Sequence, residues 1–434
     1  MNYRIFPPQE LPEATISLPQ SKSVSNRDLI INALTKDAQP LSDLADCNDT
    51  DALIRALAAD RAQQNGADGC PLEINVGPAG TAMRFLTAYF ACREDRLTLL
   101  DGDERMRQRP IGPLVDALRR CGADIEYVDA EGFPPLKIRG HRLTGGVVDI
   151  DSTVSSQFVS ALLMIAPLMG KGLRLNLVGE PASKGYIALT IAEMEKAGIE
   201  VDADRDRIII QPQEYQPCQF KGEKDWTAAS YWYEIEACTS GFLTLPGLEG
   251  DSRQPDRTCA ELFSHLGVTT DFEGEEGTEL MGNPDLDGRL TIDMSDNPDL
   301  IQSVVVTCAL IGIPFKITGI ETLRIKETDR IAALEKELDK IGVTITINGN
   351  ASIEWTGRRH PIVEMPEFDT YGDHRMAMAL APVSIFIPGI IVRDAEVVAK
   401  SYPGYWDDLR RAGFTVVDPE EQRPENQSEE EGGE

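Results

Sequence analysis

A helix that ends in glycine and runs directly into a β-rich segment recurs along this chain. It appears as LVDALRRCGADIEYV, AEMEKAGIEVDA, AELFSHLGVTTDF, EKELDKIGVTITI and DDLRRAGFTVV, with a weaker first copy in ALIRALAADRAQQNG. The closing residues are Gly66, Gly122, Gly198, Gly267, Gly342 and Gly413. Glycine suits this place because the residue that ends a helix and turns the chain into a strand takes a positive φ. Ahead of each copy stands a segment with a small or polar opening that is then apolar on most sides. These are SVSNRDLIINAL, GTAMRFLTAYFA, SSQFVSALLMIA, TAASYWYEIEAC, LIQSVVVTCALI and DHRMAMALAPVS. With anchors at Ser25, Thr81, Ser155, Ala228, Ile301 and His374, the step to the following glycine is 41, 41, 43, 39, 41 and 39 residues. From anchor to anchor the steps are 56, 74, 73, 73 and 73. Unrelated helices would not keep that spacing. The chain reads as six copies of one helix–strand–helix–strand unit, grouped three and three.

The expected fold class is α/β, with two similar domains. Each has three repeated α/β units, with buried helices surrounded by sheets and outer helices. A chain of 434 residues also exceeds what one core supports. RLTLL (96–100), LRLNLV (173–178), RIIIQ (207–211), RLTID (289–293) and PFKITGI (314–320) read as further strands, and FVSALLMIAPLM (158–169) as a buried helix. One domain is placed at 21–221. The other is placed at 222–417 together with 1–20, read as one strand returning to the second half. The border lies near Lys221–Asp225. Residues 418–434 carry eight acids against one Arg and no apolar run, and read as a disordered tail.

The formal charge is −30, which excludes the overall basic footprint of a nucleic-acid binder. An anionic substrate must then be drawn by local clusters of Lys and Arg. No apolar stretch approaches the ~20 residues that span a bilayer, so no membrane partner is expected. The opening MNYRIFPPQELPE lacks a signal pattern. The eight Cys form no CxxC pair and read as reduced thiols, so a cytoplasmic protein is expected. The four His are scattered, and no GxxxxGK[ST] or strand-linked GxGxxG occurs. No metal and no nucleotide cofactor are expected.

The apolar helices must be interior, yet their N-termini keep unpaired N–H groups and partial positive charge. If several converge they form an anion trap. Lys22, Arg27, Arg84, His374 and Arg375 lie at or beside such starts. Cations there oppose the helix dipole, so structure alone does not favour them. Four segments carry the chemistry: PQSKSVSNRD (19–28), DERMRQRPIG (103–112), LRIKETDRI (323–331), whose Lys326, Glu327, Asp329 and Arg330 open an amphipathic helix, and YGDHRMAMA (371–379) with AKSYPGY (399–405).

SKSVSNR, AGTAMR, RMRQRPIG, SSQF, SKGY, IKETDR, DHRMAMA and KSYPGY, in this order, resemble the 5-enolpyruvylshikimate-3-phosphate synthases over about residues 1–417. The resemblance implies transfer of the enolpyruvyl group of phosphoenolpyruvate to the 5-hydroxyl of shikimate 3-phosphate, with release of phosphate, on the route to chorismate and aromatic amino acids. It implies no cofactor, a cytoplasmic monomer, and two three-unit domains that close on the substrates. The first would hold the shikimate 3-phosphate half-site, the second the phosphoenolpyruvate half-site.

By the same resemblance, Lys22, Ser23 and Arg27 would contact shikimate 3-phosphate, with Lys22 also reaching phosphoenolpyruvate. Ser155, Ser156 and Ser183 would hold the substrate phosphate, Gln157 would lie between both ligands, and Tyr186 would help hold the first. Gly80, Arg109, Arg330, Arg375 and Lys400 would bind phosphoenolpyruvate. Asp299 and Lys326 would meet the shikimate hydroxyls, Asp299 as proton acceptor, and Glu327 would protonate the methylene carbon. Pro78 stands where the family usually has Asn, Phe85 where Pro is frequent, and Thr322 where many members have Asn. Two rivals remain: a sister enzyme that acts on a UDP-amino-sugar, and a non-catalytic anion binder. The first typically carries a reactive Cys in the loop equivalent to 101–110, which has none here. The second would not need the acid and base.

Overall fold

The repeating glycines set the helix ends. The computed structural model describes residues 1–63, 70–283, 288–362 and 364–419. Its α-helices are α1 (Lys22–Leu34), α2 (Asn48–Ala62), α3 (Gly80–Ala91), α4 (Gly112–Arg120), α5 (Ser156–Ile165), α6 (Lys184–Lys196), α7 (Trp226–Cys238), α8 (Cys259–Ser264), α9 (Ile301–Ile311), α10 (Arg330–Asp339), α11 (His374–Leu380) and α12 (Tyr405–Arg411). Odd-numbered helices come from the apolar segments, even-numbered ones from the segments that precede a glycine. Gly122, Gly198, Gly267, Gly342 and Gly413 all have φ between 80° and 102°. Gly66 lies outside the described residues. The apolar helix expected over 158–169 stops at Ile165 and continues as a 3-10 turn, Ala166–Leu168. Pro167 has no N–H to carry the α-helix on.

The sheets repeat one plan. Strands Gly146–Asp151, Leu173–Val178, Asp202–Ala203 and Arg207–Ile210 lie in the order first, second, fourth, third. The first pair is parallel and the others antiparallel. The same plan recurs with Leu72–Asn75, Leu97–Asp101, Asp124–Tyr127 and Leu136–Arg139, and with Leu290–Asp293, Phe315–Thr318, Thr346–Asn348 and Ser352–Trp355. Two more sheets are completed by the start of the chain. Glu13–Thr15 runs parallel to Phe242–Leu245 in the first place of one sheet. Tyr3–Phe6 sits between Ile390–Val392 and Thr415–Val417 in the fourth place of the other. The single strand expected over 1–20 is therefore two. Pro7, Pro8 and Pro12 interrupt it, because proline donates nothing to a ladder. The first repeat also departs from expectation: among the described residues it keeps α1 and α2 but has no sheet of its own. Of the tail, residues 420–434 lie outside the described residues.

One apolar core is built from residues between Ile30 and Tyr215. The other takes Ile5, Ile16 and Leu18 together with residues from Trp226 to Val416. Buried helices supply much of both. In α9, Val304, Val305, Val306, Cys308 and Ala309 are fully buried, and each large aliphatic side chain contributes about 1.5–3 kcal/mol. Polar exceptions sit in α7, where Glu234 and Glu236 are fully buried. Burial pushes Glu234 well above the usual carboxylate range and Glu236 up to about 8. The chain crosses between the cores twice, side by side: Ser21 N–H donates to Glu223 O at 2.7 Å and Asp225 N–H to Pro19 O at 3.0 Å. Among the described residues no helix is long and apolar enough to cross a membrane.

Candidate active site

Five helix beginnings meet in one cleft between the two cores. Its wall includes Lys22 and Ser23 from α1, Gly80 and Thr81 from α3, Ser155, Ser156 and Gln157 at α5, Ser183 at α6, and His374 and Arg375 from α11. Each end offers N–H groups and partial positive charge. Ser155 caps α5 by accepting from Gln157 N–H at 3.2 Å. Ser183 holds φ +57° at the start of α6 and its hydroxyl caps nothing. A non-glycine residue in that conformation is strained, and such strain gathers at functional sites.

The other wall is a lattice of charge. Arg330 is almost completely buried and bonds three carboxylates: Nε to Asp373 Oδ2 at 2.7 Å, Nη1 to Asp299 Oδ1 at 2.9 Å and Nη2 to Glu327 Oε2 at 2.9 Å. Arg375 Nη2 donates to Asp299 Oδ2 at 2.8 Å, and Lys326 Nζ lies 3.9 Å from Asp299. Lys400 Nζ reaches Glu327 Oε1 at 3.0 Å, and Arg109 approaches the same oxygen at 3.7 Å. Burial works to raise both candidate carboxyls, but the cations outweigh it. Arg375, Lys326 and Arg330 hold Asp299 well below the carboxylate range, and Lys400, Arg330 and Arg109 do the same for Glu327. With these neighbours both are ionised. On the first wall, burial lowers the Lys22 ammonium pKa, yet Asp49 at 3.2 Å together with Cys47 and Glu327 leaves it raised. Burial, then Arg375 and Lys22, pushes His374 well down, so it is neutral.

Two sets of bonds cross the cleft. Arg105 donates from Nε to Glu327 O at 3.1 Å and from Nη2 to Lys326 O at 3.0 Å. At the SKGY segment, Ser183 N–H donates to Ser295 O at 3.1 Å, Lys184 N–H to Asp296 Oδ1 at 3.0 Å, and Tyr186 O–H to Asp256 Oδ2 at 3.0 Å. Between them Gly185 is so close to the other half that an added Cβ would fall 2.4 Å from Pro255 Cβ.

The sequence-derived residues Lys22, Ser23, Arg27, Gly80, Arg109, Ser155, Ser156, Gln157, Ser183, Tyr186, Asp299, Lys326, Glu327, Arg330 and Arg375 share this cleft. Lys400 stands behind its wall, bonded to Glu327. Arg27 is committed to its own half: it donates to Thr190, Ser160 and the carbonyls of Ser23 and Tyr186. Burial lowers its pKa to about 10. Phe85 lies 5.5 Å beneath its guanidinium, Thr322 is on the cleft wall, and Pro78 is exposed outside it. The helix expected to open at Lys326 begins instead at Arg330, with Asp329 as its cap. Lys326 and Glu327 are thus on the loop before it. Asp49 and Asp256 were not singled out for the site, and Arg105 was noted only within the basic segment 103–112, with no role of its own. Asp49 looks like an ordinary acid in a helix's first turn, and Asp256 has no local signal. Arg84 lines the cleft and carried one, a charge within an otherwise apolar helix. The Nε atoms of Arg84, Arg109 and Arg375 and both ring nitrogens of His374 are buried with no partner. Buried polar atoms normally have one, so these side chains are left with unused hydrogen-bonding capacity.

A fold of repeated units around buried helices, with helix starts and cations from both halves facing one cleft, defines a transferase of small anionic substrates. Solved structures agree on the fold. An EPSP synthase from Acinetobacter baumannii matches with TM-score 0.75 at 20% identity, over 96% of this chain and 100% of its own. The enolpyruvyl transferase NikO from Streptomyces tendae matches with TM-score 0.71 at 14% identity, over 96% and 98%. The family model EPSP synthase (3-phosphoshikimate 1-carboxyvinyltransferase) matches residues 7–409, and the chain belongs to that family. A 3-phosphoshikimate 1-carboxyvinyltransferase of Bacteroides fragilis is 47% identical over 97% of this chain and 100% of its own. One from Methanospirillum hungatei is 36% identical over 92% and 96%.

Proposed function

We propose that the protein transfers the enolpyruvyl group of phosphoenolpyruvate to the 5-hydroxyl of shikimate 3-phosphate and releases phosphate, serving chorismate and aromatic amino-acid synthesis as a cytoplasmic monomer. The observation that carries this reading is the meeting of Lys22, Arg109, Arg330 and Arg375 with two ionisable carboxyls, Asp299 and Glu327, in one cleft. Two polyanions can be brought together only where cations are already held in place. Ser155, Ser156 and Ser183 take the phosphate of shikimate 3-phosphate, with Lys22, Ser23, Arg27, Gln157 and Tyr186 around it. Gly80, Arg109, Arg330, Arg375 and Lys400 take phosphoenolpyruvate.

Protonated Glu327 gives its proton to the methylene carbon of phosphoenolpyruvate. Positive charge develops on the neighbouring carbon. The 5-hydroxyl oxygen bonds to that carbon as its proton passes to Asp299. In the tetrahedral adduct the new methyl group returns a proton to the Glu327 carboxylate, the double bond re-forms, and the carbon–oxygen bond to phosphate breaks, the phosphate leaving with the proton that Asp299 had accepted. Lys326 orients the shikimate hydroxyls beside Asp299. The test is phosphate release from phosphoenolpyruvate with and without shikimate 3-phosphate. Release that does not depend on shikimate 3-phosphate would sink the reading.

A further inference from the structure

The loop 103–109 carries three arginines that point to different partners. Arg107 Nε donates to Asp101 of its own half at 3.0 Å and is exposed. Arg109 lines the cleft beside Gly80, where an added Cβ would lie 2.8 Å from Arg109 Nη1. Arg105 instead crosses to the other half and donates to two successive backbone carbonyls, those of Lys326 and Glu327. These two residues occupy the non-helical stretch between the 3-10 turn Leu323–Ile325 and α10. The stretch has no ladder bonds to fix it, while its side chains face Asp299, Arg330 and Lys400.

We infer that Arg105 is a positioning residue for the transfer reaction. It grips the Lys326–Glu327 backbone from across the cleft, so that the carboxyl of Glu327 reaches its working place only when the halves are closed. This rests on the role proposed for Glu327. A planar guanidinium is suited to the task, because its fixed fork can serve two neighbouring acceptors at once. An ammonium has no such fork and would hold one carbonyl well at most. Of the groups proposed for shikimate 3-phosphate only Lys326 lies on the gripped stretch, the phosphate-holding residues standing at the starts of α1, α5 and α6. Binding of that substrate alone and chemistry are therefore separable in their dependence on Arg105.

The experiment compares Arg105→Ala, Arg105→Lys and the charge control Arg107→Ala with the unaltered protein. Turnover at saturating substrates is read by phosphate release, and shikimate 3-phosphate binding by titration calorimetry. The expected result is a fall in kcat of about 100-fold for Arg105→Ala, the scale associated with a small misplacement of a reacting group. Arg105→Lys should be intermediate, and Arg107→Ala unchanged. Binding of shikimate 3-phosphate should stay within about threefold, which also certifies the fold. The acid limb of the pH–rate profile should move in the Arg105 variants, because Glu327 leaves its cations. Unchanged kcat with an unchanged profile overturns the inference. So does a loss of binding in both Arg105 variants, which would make the loop a general support. If the unaltered protein releases no phosphate, the functional reading fails first and independently.

Discussion

Tyr186 supplies the most direct measure of how the two halves hold one another. Its O–H donates to Asp256 Oδ2 at 3.0 Å across the cleft, and Asp256 is almost fully buried. Burial keeps the phenol well above its ordinary pKa, so it is a donor at any working pH. Tyr186→Phe removes the donor and leaves the ring in place, 5.8 Å from the Arg27 guanidinium. Asp256 then still accepts from Thr227 O–H and from Asn297 Nδ2, the latter at 3.2 Å. A hydrogen bond to a charged acceptor contributes about 1.5–3 kcal/mol. The low end applies, because burial raises the Asp256 carboxyl and two partners remain. About 1.4 kcal/mol is tenfold. The kcat/KM for shikimate 3-phosphate should therefore fall about tenfold by initial rates of phosphate release, with the thermal midpoint little changed. Asp256→Ala strands the Thr227 hydroxyl as well, while Asn297 keeps the Pro255 carbonyl, and should lose more. The double variant should show a coupling of about 1–2 kcal/mol, within the range of residues in contact. Effects that add within about 0.5 kcal/mol would refute a bond formed across the closed cleft.

Asp299→Asn and Glu327→Gln should each lower turnover by about 10²–10⁴, the span of acid–base assistance, while shikimate 3-phosphate binding stays measurable. Near-normal turnover in both would dismiss the assigned roles. Binding of phosphoenolpyruvate to the protein loaded with shikimate 3-phosphate should take up protons near neutral pH. Glu327 is held low by cations that the new anions will share, so calorimetry in buffers of different ionisation heat should see the uptake, and Glu327→Gln should lose it. Glu236 is held at about 8 by burial, above its ordinary 4.5, so its contribution to stability is complete below about pH 4.5 and is lost as pH rises through 8. Across that window the advantage of the unaltered protein over Glu236→Gln should shrink by up to ~1.4 kcal/mol per pH unit in urea unfolding, and a constant gap would count against a protonated Glu236.

What could be read from the sequence was whatever is decided locally. Glycine at a helix end needs only its own φ, so five helix–strand turns are visible at their correct residues. Cations at the start of a buried helix contradict the local dipole, and that contradiction marks Lys22 and Arg375 as chemical, whereas His374 beside them proves neutral. Partners far apart in the chain leave no such trace. Tyr3–Phe6 pairs with strands nearly 390 residues away, and its own composition does not say which sheet lacks a fourth strand. Arg105 reads as a basic surface loop until the Lys326 carbonyl stands beside it. The helix expected from Lys326 onward failed because Asp329 competes as a cap: it accepts from Ala332 N–H at 3.1 Å and delays the helix to Arg330. That delay places Lys326 and Glu327 on a loop where they can face the cleft.

The ion pairs of the cleft also explain how an acidic protein can keep so many cations close together. Lys22 is met by Asp49, Arg330 by Asp373, Asp299 and Glu327, Arg375 by Asp299, and Lys400 by Glu327. These pairs differ in kind. Asp373 and Arg330 are both fully buried, and taking away Arg330 would leave Asp373 buried without its cation at a cost of about 3–5 kcal/mol. That pair belongs to the scaffold. Asp299 and Glu327 are on the cleft wall, where a substrate anion can take over their cations. On the proposed reading the same two carboxylates therefore serve twice. Before substrate binds they neutralise Arg330, Arg375 and Lys400 and keep them from repelling one another. Once phosphoenolpyruvate occupies those cations, Glu327 loses the charges that kept it ionised while its burial remains, and a carboxyl in that position holds a proton. The acid is thus generated by the substrate it acts on, and closure matters because it is what removes water from that exchange.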